Sequence, residues 1–242
     1  MKVIVYADFN CPYCYLASQR ADLLVRLGTG QVDWRAVEHN RGLPLTGSRA
    51  AAEEQNSNAA LVDVAGLALP GESAPDVPPA VISNTGAAVA AYAEAVSDGV
   101  EDELRRRLFR AIWADGRHIS SASEVKRVVR EIMAPRVPVV AHLRSPDLPL
   151  PIIQDPDLAR IVRRSGGTIA ADGVPLTTTG WERIRQWRRE WQSLPEQGLP
   201  VVVSAGDIHS GTRALSYLAS IVQAAARAGQ AGGSSPWRVG VG

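Results

Sequence analysis

The chain has 242 residues, of which 45% are hydrophobic, 21% charged and 5% aromatic, and its formal net charge is +1. That length supports one domain with an insertion or two small domains, with enough chain to bury a core unaided. Composition excludes collagen, wholesale disorder and a disulfide-stapled mini-protein, and the near-neutral charge argues against a nucleic-acid partner.

Lys2 to Ala7 is a short apolar, β-branched run that reads as a buried strand. Asp8-Phe9-Asn10 breaks it. A helix is predicted from Cys11, with Pro12 in the first turn, an apolar stripe of Ala17, Leu23, Leu24 and Leu27, and Gly28 as its stop. Val32 to Val37 alternates as a second strand, completing a β–α–β unit long enough for a parallel crossover.

Residues 39–80 read mostly as loop, with a weakly marked helical piece near Ala50 to Val64. Helices follow at Thr85 to Ser97 and Glu101 to Asp115. Another opens with the capping box Ser121-Ala122-Ser123-Glu124 and ends at Pro135 and Pro138. Asp155-Pro156 starts a further helix. Asp172-Gly173 suggests a hairpin over Gly167 to Thr178. Thr179-Gly180-Trp181-Glu182 reads as a second capping box, opening a helix that buries Ile184, Trp187 and Trp191. Val201 to Val203 is a strand, a turn at Ala205-Gly206-Asp207 leads to a short strand at His209, and a last helix runs from about Gly211 to Arg227. The resulting expectation is an α/β fold. Residues 1–45 supply the N-terminal βαβ part, 46–165 an inserted helical domain, 166–227 a hairpin, helix and ββα part, and 228–242 a flexible Gly/Ser-rich tail.

No signal-peptide pattern and no run of roughly 20 apolar residues is present, so a cytoplasmic protein without a membrane partner is expected. Cys11 and Cys14 are the two cysteines, and a long-range disulfide within the chain is therefore impossible. Three readings of the pair compete. As plain core residues they need no partner. As a zinc half-site they need two more ligands, and His39, His118, His142 and His209 show no ligand-like spacing. As a dithiol they sit where redox chemistry is favoured, between a buried strand and a helix start. Residues i and i+3 of a first turn lie within disulfide reach. Cys11 meets the free N–H groups and the dipole, which stabilise its thiolate and make it the nucleophile; Cys14, one turn inside, resolves the mixed disulfide. Pro12 and Tyr13 between them tune the thiolate.

The segment Tyr6-Ala7-Asp8-Phe9-Asn10-Cys11-Pro12-Tyr13-Cys14-Tyr15-Leu16 resembles the active-site segment of the DsbA-like branch of the thioredoxin superfamily, most of all the FrnE-type dithiol-disulfide isomerases. The resemblance implies a thioredoxin-like fold, βαβ…ββα, with an inserted helical domain. It also implies disulfide exchange without metal or organic cofactor, on a disulfide-containing protein or a small-molecule disulfide, with a redox partner recycling the pair. Gly198-Leu199-Pro200-Val201 resembles the family's cis-proline loop, which makes Pro200 the candidate cis-proline beside Cys11 and Leu199 a substrate-binding backbone. Pro44 and Pro175 are rivals without a following apolar strand. Asp8 has two readings, a loop cap or a modulator of proton transfer at Cys14. Tyr13 and Tyr15 either contact substrate or pack; His209 either approaches the groove or sits in a solvated turn; the tryptophans are core or substrate surface. Competing functions are a small-molecule enzyme like the kappa glutathione transferases and 2-hydroxychromene-2-carboxylate isomerases, which carry Ser at the first cysteine, and a Cu(I)-binding module.

Overall fold

Strand β1 (Lys2–Ala7) lies at the centre of a four-stranded sheet of order β2-β1-β5-β6. A computed structural model describes residues 1–49, 54–132 and 154–231. β2 (Gln31–Ala36) runs parallel to β1, from Lys2 opposite Gln31 to Ala7 opposite Ala36. β5 (Val201–Ser204) runs antiparallel on the other side, with Tyr6 opposite Val201, and β6 (Asp207–Ser210) completes the hairpin. The β5–β6 turn has two residues, Ala205 (φ 53°) and Gly206 (φ 95°). Positive φ at both matches the turn to the twist of its strands, and glycine accepts it without cost while alanine does not.

Helix α1 (Pro12–Arg26) connects β1 to β2. It stops at Leu27 and Gly28, whose φ is 66°. Its buried side chains include Cys14, Leu16, Ala17, Ala21 and Leu24, whereas Leu27 is exposed, so the expected stripe is rotated. The rotation makes room for Arg20, which is buried. It pairs with buried Glu72 at 2.8 Å and donates to the carbonyls of Leu67 and Leu215. One guanidinium thus ties α1 to the end of α2 (Glu54–Leu67) and to α8 (Gly211–Ala231). α2 corresponds to the weakly marked helical piece expected near Ala50 to Val64 within a segment otherwise read as loop. A two-stranded sheet of β3 (Ser48–Arg49) and β4 (Val81–Ile82) was not anticipated.

Between β2 and β5 the chain also forms α3 (Gly86–Asp98), α4 (Glu101–Trp113), α5 (Ala122–Ile132), α6 (Pro156–Arg164) and α7 (Thr178–Gln192). The buried apolar residues of the sheet, α1, α3, α4, α5, α7 and α8 form one continuous cluster. α7 is capped by Thr177, two residues before the cap expected at Thr179; its hydroxyl accepts from the Gly180 N–H at 3.0 Å. The shift is set by buried Glu94 of α3, which accepts from the Thr177 N–H and hydroxyl, each at 2.8 Å, and from Arg163 at 3.0 Å. Gly180 is required there, because an added Cβ would meet the Glu94 carboxylate and come within 2.9 Å of Pro175 Cβ.

The expected hairpin over 167–178 is a single bridge between Ile169 and Pro175, too short for paired strands. The expected end of the last helix is also corrected. α8 continues to Ala231, because the alanines of its final turns are good helix formers, so 228–231 are not tail. Residues 232–242, with the expected stops at Pro135 and Pro138 and with His142, lie outside the described residues.

Candidate active site

β1 delivers the chain to Asp8, and four residues later α1 begins at Pro12. Cys11 is the N-cap residue, extended at φ −100° and ψ 119°, with Pro12 in the first turn. The Cys11 N–H donates to the Asp8 carbonyl at 3.3 Å. Phe9 anchors this bend in the core, 5.1 Å from the Phe109 ring centroid, and its carbonyl accepts from Trp113 Nε1 at 2.9 Å. Asn10 donates to the Ser83 carbonyl at 2.9 Å. The connection between strand and helix is therefore fixed from both sides.

Both cysteines are free thiols. Cys11 keeps 9% of its surface exposed and Cys14 none. The Leu199–Pro200 peptide bond is cis, and the Leu199 carbonyl oxygen lies 3.9 Å from Cys11 Sγ. Leu199 and Pro200 precede β5, which pairs with β1, so the sheet itself brings this loop to Cys11. Pro44 and Pro175 follow trans bonds.

The two sulfurs are electrostatically unequal. Burial alone would raise the Cys11 pKa, but hydrogen bonds from the side chain and backbone of Cys14 outweigh it, and the net direction is down from the ordinary thiol value. Burial pushes Cys14 well up, and its proton is held further by Cys11. The Asp8 carboxylate opposes ionisation of both, and His39 favours ionisation of Cys11.

Asp8 is buried. Its Oδ2 accepts from the His39 N–H at 2.9 Å and lies 2.7 Å from His39 Nδ1, while Oδ1 accepts from the Thr85 hydroxyl at 2.6 Å. The His39 pKa is raised by the hydrogen bond to Asp8, against the opposing effect of burial. Sequence reasoning missed both His39 and Thr85 as members of the site. The register held a signal for His39: the segment leaving β2 must run beside the segment leaving β1, and it continues to do so through the Val37 N–H to Ala7 carbonyl bond of 2.9 Å.

Pro12 and Tyr13 sit beside Cys11 on the first turn. The Tyr13 hydroxyl donates to Asp63 of α2 at 2.7 Å, and burial with this carboxylate pushes its pKa to about 12. Tyr15 packs 6.0 Å from Phe109. His209 stacks on Tyr217, their ring centroids 4.2 Å apart, within the β6–α8 corner. Trp187 and Trp191 are core residues. Among the described residues, no group of three or more His, Cys, Asp or Glu side chains is placed to hold a metal ion, and no helix is long and apolar enough to cross a membrane.

No curated protein sequence matches the chain. Several solved structures share its fold. The 2-hydroxychromene-2-carboxylate isomerase superposes with a TM-score of 0.60 at 18% identity, covering 97% of this chain and 100% of the other. A probable DsbA oxidoreductase from Streptomyces coelicolor gives 0.59 at 16%, covering 99% and 93%. The cytosolic disulfide reductase DsbM from Pseudomonas aeruginosa gives 0.58 at 12%, covering 94% and 100%. The model of the DSBA-like thioredoxin domain matches residues 2–148, more than half of the sequence. With a βαβ unit that carries Cys11 and Cys14 at its β1–α1 junction and a ββ hairpin beside it, the chain belongs to the family of DSBA-like thioredoxin domains.

Proposed function

We propose that the chain is a thiol–disulfide oxidoreductase or isomerase. The observation that carries this reading is geometric: Cys11 caps the start of α1 with its sulfur 3.9 Å from the carbonyl of the cis Leu199–Pro200 bond, and Cys14 lies fully buried one turn inside. The directions of the two thiol pKa values, Cys11 down and Cys14 up, agree with it. An ionised Cys11 is the nucleophile, and a protonated Cys14 waits beneath it.

In the proposed reaction the Cys11 thiolate attacks one sulfur of a substrate disulfide. A Cys11–substrate disulfide forms and the other substrate sulfur leaves as thiolate. Cys14 then loses its proton and attacks Cys11 Sγ. The Cys11–Cys14 disulfide forms, and the second substrate thiolate is released. Two electrons pass from the dithiol to the substrate, and a recycling dithiol protein or low-molecular-weight thiol returns them. Asp8, hydrogen-bonded to His39 and Thr85, is proposed to modulate proton transfer at Cys14. His39 is proposed to hold positive charge near Cys11. The backbone of Leu199 and the exposed edges of Pro12 and Tyr13 are the proposed substrate contacts. The reaction calls for no cofactor.

A small thiol as recycling partner is consistent with the similar fold of DsbM, which has also been solved with GSH (TM-score 0.56, 12% identity). DsbM is named as cytosolic, and the same compartment is proposed for this chain. The test is reduction of insulin or a small aromatic disulfide by the dithiol form. Cys11→Ser is expected to abolish turnover, and turnover retained in that variant refutes the assignment. The isomerase-type reading predicts instead that turnover of small electrophiles survives loss of Cys14.

A further inference from the structure

On the β2 side of the redox turn, the loop after β2, the start of α3, residues 120–122 and 171–175, and α7 line a cleft of about 580 Å³ that opens to solvent. That lies within the size range of small-molecule sites, about 300–1,000 Å³. Trp181, Ile184, Arg185 and Arg188 of α7 line it, a spacing of three, four and seven that puts them on one helix face. Across from them stand Glu38 and Arg41.

The polar groups of this cavity are spent unevenly. Glu38 accepts from Arg188 at 3.0 Å. Asn84 is consumed by the Leu43 carbonyl and the Gly86 N–H. Arg41 and Arg185 make no ion pair among the described residues, and Trp181 Nε1 is buried without a hydrogen-bond partner. The second acid of the lining, Asp172, accepts from the Val174 N–H at 3.3 Å. Two guanidinium groups and the Asp172 carboxylate thus remain without an ion pair among the described residues, the indole N–H remains without an acceptor, and with Arg188 paired to Glu38 the lining keeps a net positive charge. Beside them lies an apolar wall that includes Leu45, Ala87, Ala90 and Ile184. A buried donor without a partner costs free energy that a ligand acceptor recovers, and guanidinium forks match carboxylate or phosphate oxygens.

We propose that this cavity is a binding site for a small organic anion, an apolar or aromatic body carrying one carboxylate or phosphate. Arg41 and Arg185 take the charged end, and Trp181 Nε1 donates to it. The cavity adjoins the Asp8–His39–Thr85 cluster through Glu38, Asn84 and Gly86, but neither cysteine, nor Leu199, nor Pro200 lines it.

Calorimetric titration of the reduced full chain with 2-naphthoate, 2-naphthyl phosphate and uncharged 2-naphthamide tests the proposal. At least one anion is expected to bind with one-to-one stoichiometry, about tenfold or more tighter than the amide. Naphthoate against naphthyl phosphate identifies the head group. Arg41→Gln and Arg185→Gln alter exposed side chains, and each is expected to weaken the anion by about tenfold. Trp181→Phe, which keeps an aromatic wall, is expected to weaken it as well. Disulfide reduction measured on the same samples is expected to persist, so failure here is distinguishable from failure of the redox reading. Equal binding of the amide, no anion binding, or unchanged affinity in all three variants overturns the proposal.

Discussion

Asp8 and His39 are joined twice, through the His39 backbone N–H at 2.9 Å and through Nδ1 at 2.7 Å. Parallel β1 and β2 end side by side at Ala7 and Ala36, one residue before Asp8 and three before His39, so the β1–β2 register brings the two exit segments together. It places a titratable imidazole within electrostatic reach of the Cys11 thiol.

Removal of that imidazole is expected to raise the Cys11 pKa. In His39→Asn, the pH profile of Cys11 alkylation should move to higher pH, with a lower rate at pH 6. The stability linkage has a defined sign. His39 titrates at its ordinary value of 6.5 when unfolded and higher when folded. Its contribution is therefore fully present below that value and is lost as pH rises through the folded pKa. Urea melts of wild type and His39→Asn should differ most below about pH 6 and converge at alkaline pH. A difference that grows with pH contradicts the pairing.

Arg20 and Glu72 form a buried bidentate pair that joins three segments. Arg20→Ala strands the Glu72 carboxylate, at an expected cost of about 3–5 kcal/mol. Combining Arg20→Met with Glu72→Gln should recover part of that loss. Chemical unfolding of the three proteins measures both effects.

Gly180 and Ala205 make opposite tests of backbone fit. Gly180→Ala pushes a methyl group against Glu94 and Pro175, and about 1–3 kcal/mol of destabilisation is expected. Ala205→Asn puts a residue tolerant of positive φ into the β5–β6 turn, and a gain of about 0.5–1 kcal/mol is expected. Thermal melts of the two variants should move in opposite directions.

Much of the site was legible because it is local. Strand, break, Cys11, Pro12 and Cys14 are contiguous, and strand-to-helix geometry fixes where the sulfurs lie. Leu199 and Pro200 were legible through the resemblance of Gly198-Leu199-Pro200-Val201 to the family's cis-proline loop, supported by the apolar strand that follows. Long-range polar contacts left no local trace. Thr85 reaches Asp8 across 77 residues, and Glu94 sets the cap of α7 across 83. The cap at Thr179 was misplaced for that reason: a capping pattern records local preference, and a buried carboxylate overrode it by two residues. The stripe on α1 was misread because a buried Arg20 does not register as apolar. The hairpin expected at Asp172-Gly173 had its turn but lacked strand residues able to pair beyond one bridge.

Alkylation of the reduced protein across pH, with each product mapped to its cysteine, tests the unequal sulfurs most directly. Cys11 is expected to react at pH values below the ordinary thiol pKa of about 8.5, while Cys14 stays unmodified. Labelling of Cys14 first, or of both together only near that ordinary value, contradicts the account.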